Sequence, residues 1–405
     1  MTGGTPNHAS PQAGVDEFAS GVIPPIPSEP VTERDFEPWH KPRKQIVRIS
    51  WRENVRRLMG DRALPVGTPK TLRYFTLPGP EMMDIRTLQE AALDKGFSVQ
   101  YIGLTDTRSG SEDDLQLQRG TVSLRAQKDW IHDSSTILYY KLEELVAGDA
   151  PVARRKLSDY GPFDVVNLDL CDYILAPGIK GRLIDALEQI LKIQTTRPHG
   201  QDWLLFVATR FDPAVTCSER FERIKNVIAS NCATSAEFKT GLEELLQASL
   251  DKPSEFLENP SQLSQAHLRD VLTIGLTKWI GNMLLQANPP FSLKLGRAFT
   301  YAVDGGKEDM LSLVYRCVYS GNPVPIQGQG VAPIDVPSAE IEIAKAALAK
   351  TKTIVNIDTQ LAGNQIEWAE MARQTKDLLQ RANYSDHDLK RYDEWAVNKA
   401  AAVQA

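Results

Sequence analysis

The sequence predicts an α/β protein: a mostly parallel Rossmann-like sheet with helices on both faces and a terminal antiparallel hairpin, plus a helical insertion and a helical C-terminal extension. Three observations carry this. Four short apolar runs, LRYFTL, FSVQYIGL, FDVVNLDL and WLLFVA, recur between residues 72 and 208, separated by segments of helical spacing. Strands alternating with helices imply right-handed crossovers and a parallel sheet. Further on, AFTYAVDGGKEDMLSLVYRCVY alternates at Phe299, Tyr301 and Val303, turns at Gly305-Gly306, and alternates again at Leu311, Leu313 and Tyr315, the pattern of a hairpin. Finally, 405 residues with 42% hydrophobic and 24% charged content suit a globular chain with one large domain and additions.

Residues 1–33 are rich in Gly, Pro, Ser and Thr and read as a disordered tail. Residues 34–66 form a basic amphipathic segment. Eight Lys/Arg and three acids between Arg34 and Arg57 give a local charge of +5 on a chain of net −6. Val47, Trp51, Val55 and Leu58 share one helical face, with Arg48, Arg52 and Arg56 on its flank, behind an extended PWHKPRKQ.

The Rossmann-like core spans 67–212. LRYFTL stops at Pro78-Gly79-Pro80, and MMDIRTLQEAALDKG is a helix capped by Gly96. After FSVQYIGL, TVSLRA reads as a short strand and STILYYKLEELVAG as a helix ending at Gly148. FDVVNLDL, the helix IKGRLIDALEQILKIQ and WLLFVA complete the core. A helical insertion follows over 213–290, in which LSQAHLRDVLTIGLTKWIGNMLL is apolar nearly all round and therefore buried. Residues 291–322 supply the hairpin, and 323–405 a Pro-rich linker and C-terminal helices.

Cys171, Cys217, Cys232 and Cys317 are widely spaced and make no CxxC or Cys/His pattern, which argues against zinc or a disulfide framework. The chain has no GxxxxGK[ST], no GxGxxG after a strand, no HExxH and no GxSxG. No run of about 18 apolar residues predicts a membrane span, and no leading basic-then-apolar segment predicts export. A cytoplasmic protein without metal is expected.

In open α/β sheets ligands sit outside the carboxyl ends of the strands. Asn167 and Asp169 lie two apart at such an end and share one side of the strand. An amide and a carboxylate there can orient an amine or a purine edge; the alternative is a structural Asp capping the next turn. Gly79 lets a ligand approach the backbone, or serves only a tight turn. Arg210, after WLLFVA, can meet a phosphate or carboxylate, or stay solvated. Cys171 has no neighbouring base in sequence and reads as a packed residue. Arg48, Arg52 and Arg56 are candidates for phosphates of DNA or RNA; the alternative is pairing with acids of the protein's own surface.

A parallel sheet closed by such a hairpin, with FDVVNLDLCD as fourth strand, resembles the class I S-adenosylmethionine-dependent methyltransferases over about residues 70–320. The resemblance implies S-adenosylmethionine over the strand ends, with Gly79 at the first turn, Asp106 on the ribose hydroxyls, and Asn167 and Asp169 positioning an acceptor such as a nucleic-acid base. That family carries an acid and several glycines at the first turn, where this chain has Gly79 alone, followed by Glu81 and Asp84. The departure opens a second reading: a catalytically degenerate scaffold subunit of a larger, nucleic-acid-handling complex, with protein partners on the helical insertion and C-terminal helices.

Overall fold

A computed structural model describes residues 36–62, 67–146, 152–178, 182–196, 201–249, 255, 257–303, 306–320 and 336–404. The expected tail at 1–33, the Pro-rich linker, Gly148 and the turn residue Gly305 lie outside the described residues.

Eight strands form one sheet: β1 (Thr71–Thr76), β2 (Ser98–Leu104), β3 (Thr136–Leu138), β4 (Val165–Tyr173), β5 (Trp203–Arg210), β6 (Phe291–Tyr301), β7 (Met310–Tyr319) and β8 (Val355–Asn356). Their order is β3-β2-β1-β4-β5-β7-β6-β8. β7 runs antiparallel to both β5 and β6, and every other neighbouring pair is parallel. The four apolar runs are thus strands of one sheet, and the hairpin extends it from β5.

The helices are α1 (Pro42–Asp61), α2 (Met83–Arg86), α3 (Gln89–Lys95), α4 (Glu112–Arg125), α5 (Val152–Tyr160) and α6 (Leu183–Gln194). After β5 come α7 (Ser218–Thr234), α8 (Ala236–Leu246) and α9 (Gln265–Leu285), and after β7 α10 (Val336–Thr351), α11 (Ile357–Ala362), α12 (Gln365–Arg381) and α13 (Asp386–Gln404). None of the described helices is long and apolar enough to cross a membrane.

Three expectations are corrected. TVSLRA lies inside α4, not in a strand. Its β-branched residues are overruled by an N-cap, where the Ser111 side chain accepts from the Asp114 amide, and by burial of Leu117 and Leu124 on one face. STILYYKLEELVAG is not one helix. Its first part is β3, paired in parallel with β2 through Ile102↔Thr136, and Leu142–Val146 is a 3-10 turn. PWHKPRKQ is not extended: Pro38–His40 is a 3-10 turn and α1 starts at Pro42, a residue suited to the first helical position. Gly96 caps α3 at φ 65°, as its place in the sequence predicts.

Helices cover both faces. On one, α5 to α10 pack over Val166, Leu168, Leu205 and Leu313. On the other, α1, α3, α4 and α11 pack over Tyr74, Tyr101, Val165 and Phe206. Trp51 stacks on Phe206 with centroids 5.8 Å apart and planes 9° from parallel. The insertion helix α9 is buried on nearly every side, and α7 approaches it so closely that a Cβ on Gly275 would lie 2.2 Å from Ile224 Cγ2. A third cluster joins α12 and α13 to Phe36 and Trp39, so the first and last described segments meet. Tyr392 donates its hydroxyl to the His40 carbonyl at 2.8 Å.

Candidate functional site

β4 ends with its odd-numbered side chains turned toward α1 and its even-numbered ones toward the opposite core. Asn167 and Asp169 therefore share a side, as the sequence predicts, but their surroundings differ. Asn167 is fully buried and donates Nδ2 to the Tyr74 hydroxyl at 2.8 Å, while its Oδ1 has no partner. Tyr74 in turn donates to Asp84 Oδ2 at 3.3 Å, and Thr76 donates to the same oxygen. Burial raises the Asp84 carboxyl above its ordinary range.

Asp169 faces outward and meets Lys44 of α1, with Nζ 2.5 Å from Oδ1. The same ammonium reaches the Tyr301 hydroxyl at 3.1 Å and lies 5.0 Å from the Trp51 ring centroid. Burial alone would lower the pKa of Lys44. The adjacent carboxylate of Asp169 outweighs it and holds the lysine charged, above its ordinary range. Arg48, one turn on, is buried and donates to the Trp39 carbonyl at 2.7 Å. Burial lowers its pKa, opposed by Asp169 and Asp84.

The turn after β1 is likewise held by the chain's own ends. Trp39 donates Nε1 to Glu81 at 3.2 Å, His40 Nε2 lies 3.6 Å from the same carboxylate, and Tyr384 donates its hydroxyl to it at 2.9 Å. Burial would raise the Glu81 pKa, but His40 and Tyr384 overcome that and hold it at about 2. Gly79 is exposed, and a Cβ there would meet nothing within 4 Å, so packing does not demand glycine. Asp106, just past β2, is exposed.

Arg210 pairs with Asp309 at 2.7 Å. Cys171 is exposed rather than packed, because β4 shifts register between Asp169 and Tyr173 as it leaves the sheet. Arg48, Arg52 and Arg56 do not form one solvent-facing row: Arg48 is buried, Arg52 pairs with Glu53 and Glu90, and Arg56 pairs with Glu53, Glu90 and Asp94. No group of three or more His, Cys, Asp or Glu among the described residues is placed to hold a metal.

Lys44, Tyr301 and Glu81 are the polar groups at the strand mouth that reasoning from sequence did not nominate. One signal pointed to Lys44. Positions 44, 48, 51, 55 and 58 follow the three-four spacing of a single helical stripe, so Lys44 and Arg48 continue the buried face of Trp51, Val55 and Leu58.

These contacts determine what the mouth can bind. Here Asp169 is engaged by Lys44, Glu81 by Trp39, His40 and Tyr384, and Asp84 by Thr76 and Tyr74. Of the residues nominated for S-adenosylmethionine, Asn167 and Asp169 are engaged by other side chains, while Gly79 and Asp106 are exposed. No curated protein matches the chain. A family model described as PP_RS20740-like matches residues 33–397, and the chain belongs to that family.

Proposed function

We propose that this member of the PP_RS20740-like family is a methyltransferase-like scaffold, a binding subunit of a larger nucleic-acid-handling complex, and not a methyltransferase. The observation that carries this reading is the Lys44–Asp169 pair at the mouth of β4. The carboxylate best placed to receive a ligand is already neutralised by the chain itself. The sheet supports the methyltransferase likeness: parallel strands completed by an antiparallel hairpin, with the Asn167-Leu168-Asp169 motif on its fourth strand. In this reading any phosphate contact falls to Arg52 and Arg56, since Arg48 is buried.

Titration calorimetry of the full chain with S-adenosylmethionine and with S-adenosylhomocysteine separates scaffold from enzyme. Absence of heat at millimolar ligand supports the scaffold. Stoichiometric binding, lost on Asp169→Ala, overturns it in favour of methyl transfer.

A further inference from the structure

Away from the strand ends, α1, α3 and α12 enclose an open polar cleft of about 350 Å³. That is within the size range of small-ligand sites. Two of its cations are balanced. Arg52 pairs with Glu90 at 2.8 Å and Arg373 with Asp377 at 2.9 Å. Among the described residues Arg381 has no acid partner; its Nη1 donates to the neutral Gln89 Oε1 at 3.2 Å. Arg86 precedes the cleft residue Thr87 in the chain and is close enough to Arg381 for the two charges to act on each other. Arg86 is 1% exposed, its Nε donates to the Glu81 carbonyl, and neither Nη has a hydrogen-bond partner among the described residues. Burial, with the Arg381 charge acting in the same direction, pushes the Arg86 guanidinium down to about 10. One end of the cleft thus carries the exposed Arg381, with the buried charge of Arg86 near it and offset in part by the Glu81 carboxylate. A buried cation that is only partly offset is costly, and a further anion nearby relieves that cost.

Gln45 of α1 lines the same cleft. It is 2% exposed, and its carbonyl oxygen is buried without a hydrogen-bond partner. A carboxamide offers a donor and an acceptor side by side, which matches the donor–acceptor edge of a nucleobase. An apolar residue of similar volume would pack there without leaving a polar atom unsatisfied.

We infer that this cleft binds a small phosphorylated ligand of the mononucleotide class, with the phosphate at Arg381, favoured by the nearby buried charge of Arg86, and the base edge at the Gln45 carboxamide. Lys44, Glu81 and Asp169 of the strand mouth do not line this cleft, and the site does not depend on whether the protein is scaffold or enzyme.

Calorimetry with adenosine monophosphate, adenosine and inorganic phosphate tests it. The monophosphate binds, and each fragment alone binds more weakly. Arg381→Gln weakens the monophosphate about tenfold or more and leaves adenosine unchanged, as loss of a charge-assisted contact requires. Gln45→Met weakens the monophosphate but not phosphate, and raises the Tm of the free protein, because it removes an unpartnered buried oxygen. The Tm readout shows that this variant is folded. Absence of binding at millimolar monophosphate, affinity unchanged by Arg381→Gln, or affinity unchanged by Gln45→Met overturns the inference.

Discussion

Lys44 Nζ and Asp169 Oδ1 stand 2.5 Å apart although 125 residues separate them in the chain. The lysine side chain is 6% exposed and the aspartate 22%. A pair so far from water is expensive to break from one side, because the remaining charge stays behind.

Lys44→Met and Asp169→Leu should each destabilise the protein by about 3 kcal/mol. The double variant Lys44→Met/Asp169→Leu should recover most of that loss. Urea unfolding of the four proteins in a double-mutant cycle measures it. Strictly additive losses would show that the two groups do not interact.

Glu81 makes stability depend on acid. Its folded-state pKa of about 2 lies below the ordinary 4.5. The stabilisation is therefore fully present above about pH 4.5 and is lost as pH falls toward 2. Its size is about 3 kcal/mol. Glu81→Gln should flatten this acid limb in a pH series of urea midpoints. An acid limb as steep as wild type would assign it to other carboxylates.

The three arginines of α1 should separate by burial. Arg48→Gln leaves a buried helix turn without its bond to the Trp39 carbonyl and should cost about 2 kcal/mol or more. Arg52→Gln and Arg56→Gln remove surface pairs and should cost under about 1 kcal/mol each. Thermal melts measure this. The Arg52→Gln/Arg56→Gln double variant should also reduce the salt slope of any binding to a labelled DNA duplex. A slope unchanged from wild type places phosphate contacts elsewhere.

Gly275→Ala puts a methyl 2.2 Å from Ile224 Cγ2, between two packed helices. A loss of about 1–3 kcal/mol is expected. Adding Ile224→Ala should relieve the clash and leave a smaller defect than the sum of the two single changes. A fully additive pair in chemical denaturation would mean that α7 shifts to accommodate the methyl.

The fold was legible where the chain is strongly patterned. β1, β2, β4 and β5 are apolar runs bounded by turn residues, and β6 and β7 alternate around a glycine turn. β3 was hidden because only three residues pair, all half-buried at the sheet edge. α4 was hidden because Thr121, Val122 and Leu124 read locally as strand, while the cap that decides the matter sits ten residues earlier at Ser111. At the strand mouth, the position of Asp169 followed from its place at the end of β4. Its partner did not, because Lys44 belongs to a run of basic residues that looks like a solvated surface. The long Lys and Arg stems let a helix bury these positions beside apolar ones and still deliver charge to an acid.

The seat of α1 also constrains how the protein is made. Lys41 and Arg43 donate to the carbonyls of Val303 and Ala302, Arg43 pairs with Asp358, and Tyr392 bonds to His40. Each partner is synthesised some 250 to 350 residues after the segment that needs it. On the ribosome the basic helix emerges first and has no seat. β5 likewise waits for β7, more than a hundred residues downstream. Closing such long loops comes late in folding. Until α13 has left the exit tunnel, the His40 carbonyl lacks the Tyr392 hydroxyl that later bonds to it. A nascent chain therefore carries, for tens of seconds at translation rates of about 5–20 residues per second, basic side chains at the start of α1 whose partners do not yet exist.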